Sequence, residues 1–583
     1  MDINTEQREL ENTQNVKKSL FDCVEVKGIS LKSAKAFFSG RFASLLRSIS
    51  RLFSFTSSRV YGLSLLSFGI LTLFLHLGEY YFMDDPQVEM SSLVIGAAAA
   101  LLSLLFLFSD KPICIAIQSV KLFDFIVFDF FSINRTHQND GRSRINGSVG
   151  IIFGFLLAVL GFFVPTEYTV LLIVGLLLVI TAMVSPEFTY ILSLFLFPYL
   201  PALPYSSYIL AILIAITVIS FARKVFVGKR IYSFEIYDFI FVILILTVFV
   251  TAVILGGASS TENALLITAF LFGYFPASNM AVNRRIFDCV AGAISASAIP
   301  IGIHSIVGYV ISLVEGSPVH SRAFFSSPEV FSAYLSAVAV FSLYLAVKRS
   351  RPLKKNYYFS VFVLTLITLF TTGIFVVLIA LLLGVISLSV IRSRKIPVWC
   401  LIFIVPLPIA MFFLDSSVLA SISDMFFISP SLENRRLLFD RALDVFFENP
   451  IFGIGANNPW GLSDFSSNVY LSLACRFGAL ALMAVFILLV LRVSHFALFK
   501  KYFSDSTISF YAEISMLVWV CMLVIGGFSD IFADIEMLYF FIAVFSVGSA
   551  ALRLAKKEKE EMIIYYRELG TSDLAEIDIT LKK

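Results

Sequence analysis

The chain has 583 residues, 58% of them apolar and 15% charged, with a net charge of +3. Soluble domains carry about 45–50% apolar and about 25% charged residues, so these values and a mean hydropathy of +0.89 exclude a soluble protein and specify a polytopic membrane protein whose partners include membrane lipids. So small a net charge gives nucleic acid no electrostatic footprint, and six cysteines without a CxxC pair argue against a disulfide framework or a metal site.

In chain order, residues 1–59 read as a cytoplasmic region whose polar start carries no cleavable leader. From Ile29 to Phe55 the apolar residues Leu31, Ala34, Phe38, Phe42, Leu45, Ile49 and Leu52 fall near one helical face, with Lys32, Lys35, Arg41, Arg47 and Arg51 elsewhere. That pattern suits a helix on an anionic leaflet or one packed on the bundle. A spanning helix needs roughly 20 apolar residues, which places spans at about 60–82, 91–108, 147–164, 168–184, 187–200, 206–222, 236–256, 262–279, 286–312, 329–347, 357–372, 373–391, 397–414, 467–491, 508–528 and 535–554. The fold class expected is all-α: a polytopic transmembrane helical bundle of roughly 14–16 spans over residues 60–554. An extracytoplasmic loop helix precedes the third-last span, and a Lys/Glu-rich cytoplasmic tail follows at 555–583.

Alternate loops should carry the lysines and arginines on the cytoplasmic side. Arg142/Arg144, Arg223 to Arg230, Arg284/Arg285, Lys348 to Lys355, Arg392 to Lys395, Lys500/Lys501 and Lys556 to Lys559 all fall on one side, which puts both termini in the cytoplasm of a cell-membrane protein. Two loops on the opposite side depart from the rule: Glu315 to Pro328, with Arg322, and the outer loop 415–466, with Arg435, Arg436 and Arg441. Within the second, Ser429-Pro430 starts a helix and Asn449-Pro450 stops it, with Leu438, Ala442, Val445 and Phe446 on one side. Arginine's planar fork suits phosphate, although Arg436 and Arg441 could equally pair with Asp440, Asp444 or Glu433 on their own helix. Asp124 and Asp129 belong to an interfacial segment, while Asp238, Glu513 and His304 are ionisable groups in or near spans and so functional candidates.

The stretch from that loop helix into the next span resembles the signature region of the O-antigen ligase and polymerase family of membrane glycosyltransferases. In that family an arginine stands four residues before a tryptophan; a proline-terminated helix, a turn of the form PLFGVG and a His-Asn-x-x-Leu sequence opening the next span follow. Here Arg435 stands four before Phe439, Glu448 to Gly455 reads ENPIFGIG with Pro450, Gly453 and Gly455 in the turn, and Ser467-Asn468-Val469-Tyr470-Leu471 occupies the last element. A second similarity lies upstream, where Ser321 to Leu335 offers Arg322, Phe325 and Pro328 for the family's arginine, phenylalanine and proline turn. The signature region thus covers residues 315–491.

The resemblance implies an inverting transfer of a glycan from undecaprenyl diphosphate, on the outer face of the membrane, to an acceptor hydroxyl. It would attach or polymerise surface polysaccharide with no cofactor and no metal, because the diphosphate already activates the donor. Arg322 and Arg435 carry over as diphosphate-binding residues, and Asn468 as part of the loop architecture. The family's histidine is replaced by Ser467, which cannot serve as a base. Asp464 or His320 could take the acceptor's proton instead. Otherwise the chain is a catalytically inactive relative that binds the lipid carrier or a partner enzyme. A lipid or polysaccharide transporter is the remaining alternative, although no paired halves with matching broken helices are visible.

Overall fold

The computed structural model describes residues 24–26, 56–82, 90–131, 146–164, 185–203, 205–227, 230–254, 258–280, 284–315, 320–348, 352–372, 432–456, 468–500, 508–527, 529–532 and 534–568, with 175, 179 and 181. The architecture is an all-α helical bundle typical of a membrane protein. Among the described residues seven helices are long and apolar enough to cross a membrane, and shorter apolar helices occupy Gly147–Phe163, Ile236–Ala252 and Phe510–Gly526. The expected spans at 373–391 and 397–414, nearly all of 168–184, and the helix at 29–55 lie outside the described residues. Contacts divide the chain into two units, one of Gly28–Thr189 and Ile219–Arg230, the other of Met1–Lys27, Tyr190–Val218 and Ile231–Lys583.

In the smaller unit, helices α1 (Ser58–Phe82), α2 (Met90–Leu107) and α5 (Gly147–Phe163) pack together. The short helices α3 (Ile113–Ser119) and α4 (Lys121–Asp124) follow α2 in the chain, and a π-helical turn over Phe125–Phe130 continues α4. Lipid is as apolar as leucine, so close backbone approach and small polar bonds drive such packing rather than the hydrophobic effect. Accordingly α5 buries Gly150, Gly154, Ala158 and Gly161, and Ser67 of α1 donates to the Ile151 carbonyl at 3.1 Å. Glu187, buried, pairs with Lys224 at 3.1 Å and with Arg230.

The larger unit takes up most of α6 (Pro186–Leu196), which tightens into a 3₁₀ segment over Phe197–Ala202. Pro198 and Pro201 offer no backbone N–H there, so the single span expected at 187–200 changes character at its end. Helices α7 (Ser206–Phe226), α8 (Ile236–Ile254), α9 (Ala258–Phe272) and α10 (Tyr274–Met280) follow, α9 and α10 being the expected span 262–279 broken at Gly273. Then come α11 (Arg284–Val314), α12 (Pro328–Lys348), α13 (Pro352–Thr372), α14 (Leu432–Glu448), α15 (Val469–Lys500), α16 (Ser509–Gly526) and α17 (Ile535–Glu568). The Lys/Glu-rich run after Ala555 consists of strong helix formers, which is why α17 runs on well beyond its apolar part. A two-stranded antiparallel ladder joins Val24–Val26 to Tyr232–Phe234.

Two helices form the centre of this unit: 89% of the most apolar stretch of α12 and 83% of that of α17 are buried. Aromatic rings fill the space around them. Phe197 stacks on Phe540 at 5.1 Å, Phe325 on Phe331 at 5.6 Å, and Phe241 on Tyr274 at 3.9 Å. Polar contacts sort the helix ends. At one end Arg284 meets Glu558 at 3.1 Å, Lys354 meets Asp288 at 3.4 Å, and Arg553 meets Glu235 at 3.2 Å and Asp238 at 2.9 Å. The segments carrying Arg322, Pro450 and Asp530 lie at the opposite end, described next.

Candidate functional site at one end of the larger unit

Helix α14 ends at Glu448, and Asn449 to Gly455 folds back as a tight turn with Gly453 at φ 67° and Gly455 at φ 96°. That turn meets α15 where the helix is broken, at Gly478 with φ 74°. A break frees helix carbonyls and N–H groups that would be costly to leave unpaired in an apolar setting. The turn satisfies them: Ile454 N–H donates to the Cys475 carbonyl at 2.8 Å, Gly455 N–H to the Arg476 carbonyl at 2.9 Å, and Ala479 N–H to the Pro450 carbonyl at 2.8 Å. A side chain on Gly453 would run into the Cys475 and Arg476 backbone, and one on Gly478 into the Ile451 carbonyl. Close approach and left-handed geometry therefore both require glycine.

Side chains complete the joint. Ala442, fully buried, packs on Cys475 with Val445, Phe446, Ile454 and Leu471 around them, so the apolar side of α14 faces α15. Asn468 caps α15, its Oδ1 accepting the N–H groups of Tyr470 at 2.8 Å and Leu471 at 3.3 Å, while its Nδ2 donates to the Gly527 carbonyl at 3.3 Å. Tyr470 donates to the Leu523 carbonyl at 2.7 Å. The segment joining α16 to α17 thus lies against the start of α15.

The same segment holds the upstream loop. Asp534 accepts the Ser326 N–H at 3.1 Å, Ser321 N–H donates to the Thr371 carbonyl at 3.0 Å, and Phe325, almost fully buried, stacks among Phe331, Phe197 and Tyr334. Ala323 takes φ 48°, a left-handed conformation uncommon outside glycine, in the turn that exposes its neighbour Arg322. The Arg322 guanidinium donates to the Ser326 carbonyl at 3.3 Å, and no carboxylate among the described residues pairs with it. His320 is exposed beside it. Arg435 lies on α14 with its side chain outside the described residues, as is all of Asp464. Asp440, Arg441 and Asp444 make no ion pair among the described residues.

Two residues not expected from the sequence enter here. Arg476, two residues before the helix break, lies 3.8 Å from Asp530, with side-chain exposures of 21% and 10%. Burial pushes the Asp530 carboxyl above the usual range, opposed by the Arg476 charge, the Ser472 hydroxyl and the Phe532 N–H. Asp534 is also raised by burial, against hydrogen bonding from Ser326. An arginine inside an apolar span was the available signal, and only the fold brings it to Asp530. Arg476 also lines a cavity of about 250 Å³ whose walls are largely apolar, with Asn263, Tyr470, Ser472 and Trp519 among its polar-bearing residues. Among the described residues no His, Cys, Asp and Glu cluster could hold a metal ion. Comparison with models of known protein families and with curated proteins finds no match for the chain.

Proposed function

We propose that this membrane protein transfers or polymerises a glycan carried on undecaprenyl diphosphate, at the end of the larger unit where the three segments meet. That end faces the outside of the cell membrane, and both termini are cytoplasmic. The observation that carries the reading is the turn docked on the broken helix, because it holds a guanidinium beside a buried carboxylate at the wall of an apolar cavity. A lipid-borne diphosphate needs that combination of cation and apolar surface.

Arg476 joins Arg322 and Arg435 in binding the diphosphate and stabilising it as it leaves. Asp530 takes the role assigned by resemblance to the missing histidine. The acceptor O–H gives its proton to the Asp530 carboxylate, the freed oxygen attacks the anomeric carbon, and the bond to the diphosphate breaks with its electron pair retained by the leaving group. A carboxyl raised by burial is a better proton acceptor than an exposed one, and the charge of Arg476 opposes that rise. Asp464 and His320 are the competing assignments for this step.

The test is transfer from lipid-linked glycan by purified protein, together with surface polysaccharide length in cells. Arg322→Ala and Arg476→Ala should each reduce output, and Asp530→Asn should cut turnover by about a hundredfold or more while leaving carrier binding intact. Wild-type output from all three variants would remove the assignment.

A further inference from the structure

The side of α14 turned away from α15 is divided lengthwise. Phe439, Leu443 and Phe447 recur every four residues along one strip, and Asp440, Asp444 and Glu448 recur along the next. The acidic strip is exposed, as ionised carboxylates require. The apolar strip is not covered either: Phe447 is 72% exposed, and the patch runs on into the turn through Ile451, at 57%, and Phe452. Contiguous aromatic surface of this kind marks a contact with another apolar body. The turn that carries Ile451 and Phe452 is bonded to the backbone of Cys475, Arg476 and Ala479, on either side of the Gly478 break. Past the break, α15 leaves Leu480, Met483, Phe486, Ile487 and Val490 exposed. In a helix of spanning length such residues face hydrocarbon, so the apolar patch on the turn continues a lipid-facing surface. Gly478 and Lys500 are 22 residues apart, roughly 33 Å of helix at a rise of about 1.5 Å per residue, close to the roughly 30 Å of a hydrocarbon core. With Lys500 and Lys501 at one boundary, the break and its docked turn fall at the other. A helix at that level with an apolar strip beside a charged one suits the headgroup layer.

We propose that α14 and its turn are an interfacial anchor whose partner is the acyl layer of one leaflet. Phe439, Leu443, Phe447, Ile451 and Phe452 enter the hydrocarbon, while Asp440, Asp444 and Glu448 stay in water. The lipid engaged in this way holds the turn against the broken helix. The inference rests on the proposed function only in naming that leaflet the outer one.

The test uses the full chain in phosphatidylcholine nanodiscs with Cys23, Cys114 and Cys400 replaced by serine; Cys289, Cys475 and Cys521 are buried and stay. A nitroxide is attached singly at Phe447→Cys, Phe452→Cys, Asp444→Cys and, as the lipid reference, Met483→Cys. Its relaxation is read with dissolved oxygen, which concentrates in hydrocarbon, and with a water-soluble nickel chelate. The labels at 447 and 452 should match the label at 483, with an oxygen-to-nickel accessibility ratio several-fold above that at 444. Each label is read only in protein that runs as a single gel-filtration peak, and Ile451→Cys stands in where one does not. In the double variant Phe447→Asp, Ile451→Asp, the Ile454 and Gly455 amides that donate to α15 should exchange about tenfold faster than in wild type; unchanged exchange contradicts the clamp. Nickel accessibility at 447 and 452 equal to that at 444 overturns the anchor. So does protection from both agents, since protein would then cover the strip, and spin–spin broadening would identify it as a second copy. Lipid-facing labels in a protein that transfers no glycan keep the anchor and remove the enzyme reading, whereas transfer with water-facing labels does the reverse.

Discussion

At the scale of single residues, the helix break at Gly478 and the carboxylate Asp530 make opposite predictions. Gly478→Ala forces a left-handed conformation that costs of order 1–3 kcal/mol, and adds a clash with the Ile451 carbonyl. The variant should lose several degrees in thermal midpoint in detergent, and an unchanged midpoint would show that the turn does not depend on the break. Asp530 behaves differently because its carboxyl is raised by burial. The folded state then holds a proton that the unfolded state has released, so stability falls as pH rises from the ordinary carboxylate range through the raised value. Asp530→Asn should flatten that decline and leave the protein at least as stable at neutral pH while reducing transfer, a pattern expected of a functional group held at a cost. Loss of stability in Asp530→Asn would mark the residue as structural.

Among the elements, α15 and α17 carry the account. Helix α15 contains a second buried arginine, Arg492, held by Ser549 at 3.1 Å, Ser515 at 3.3 Å and the Phe545 carbonyl at 2.7 Å, with the Phe545 ring 4.3 Å from its guanidinium carbon. Those bonds tie α15 to α16 and α17 behind the cavity. At the far end Arg553 of α17 bridges Glu235 and the fully buried Asp238, which also accepts from Tyr232 at 3.0 Å. Removing one partner of such a buried group strands the others, typically at about 3–5 kcal/mol. Arg553→Met should therefore lower the unfolding midpoint sharply, and the triple variant with Glu235→Gln and Asp238→Asn should recover much of the loss; no recovery would refute the ion-pair account. The sequence made these elements legible because apolar runs of spanning length have few alternatives in lipid. The break at Gly478 stayed hidden inside an apolar run. The proline-driven change at 197–202 and the split at Gly273 blurred single spans for a related reason, since hydropathy averages over backbone detail.

For the whole molecule, the upstream loop that departs from the charge rule meets the α16–α17 connection through Ser326, and the turn of the second docks on α15, whose capping Asn468 meets the same connection, whereas Arg284, Lys354 and Arg553 gather at the other end of the larger unit. Hydropathy and charge therefore outlined the bundle and pointed to the site end, while the Arg476–Asp530 pair emerged only from tertiary contacts between positions 54 residues apart. The central claim is that a lipid-borne diphosphate docks at that end through Arg476. Its most direct test is equilibrium binding of undecaprenyl diphosphate to the purified protein in nanodiscs, wild type against Arg476→Ala. Loss of one charge-assisted contact of about 1.5–3 kcal/mol predicts binding weakened roughly 10- to 150-fold; equal affinity in the two proteins would contradict the account.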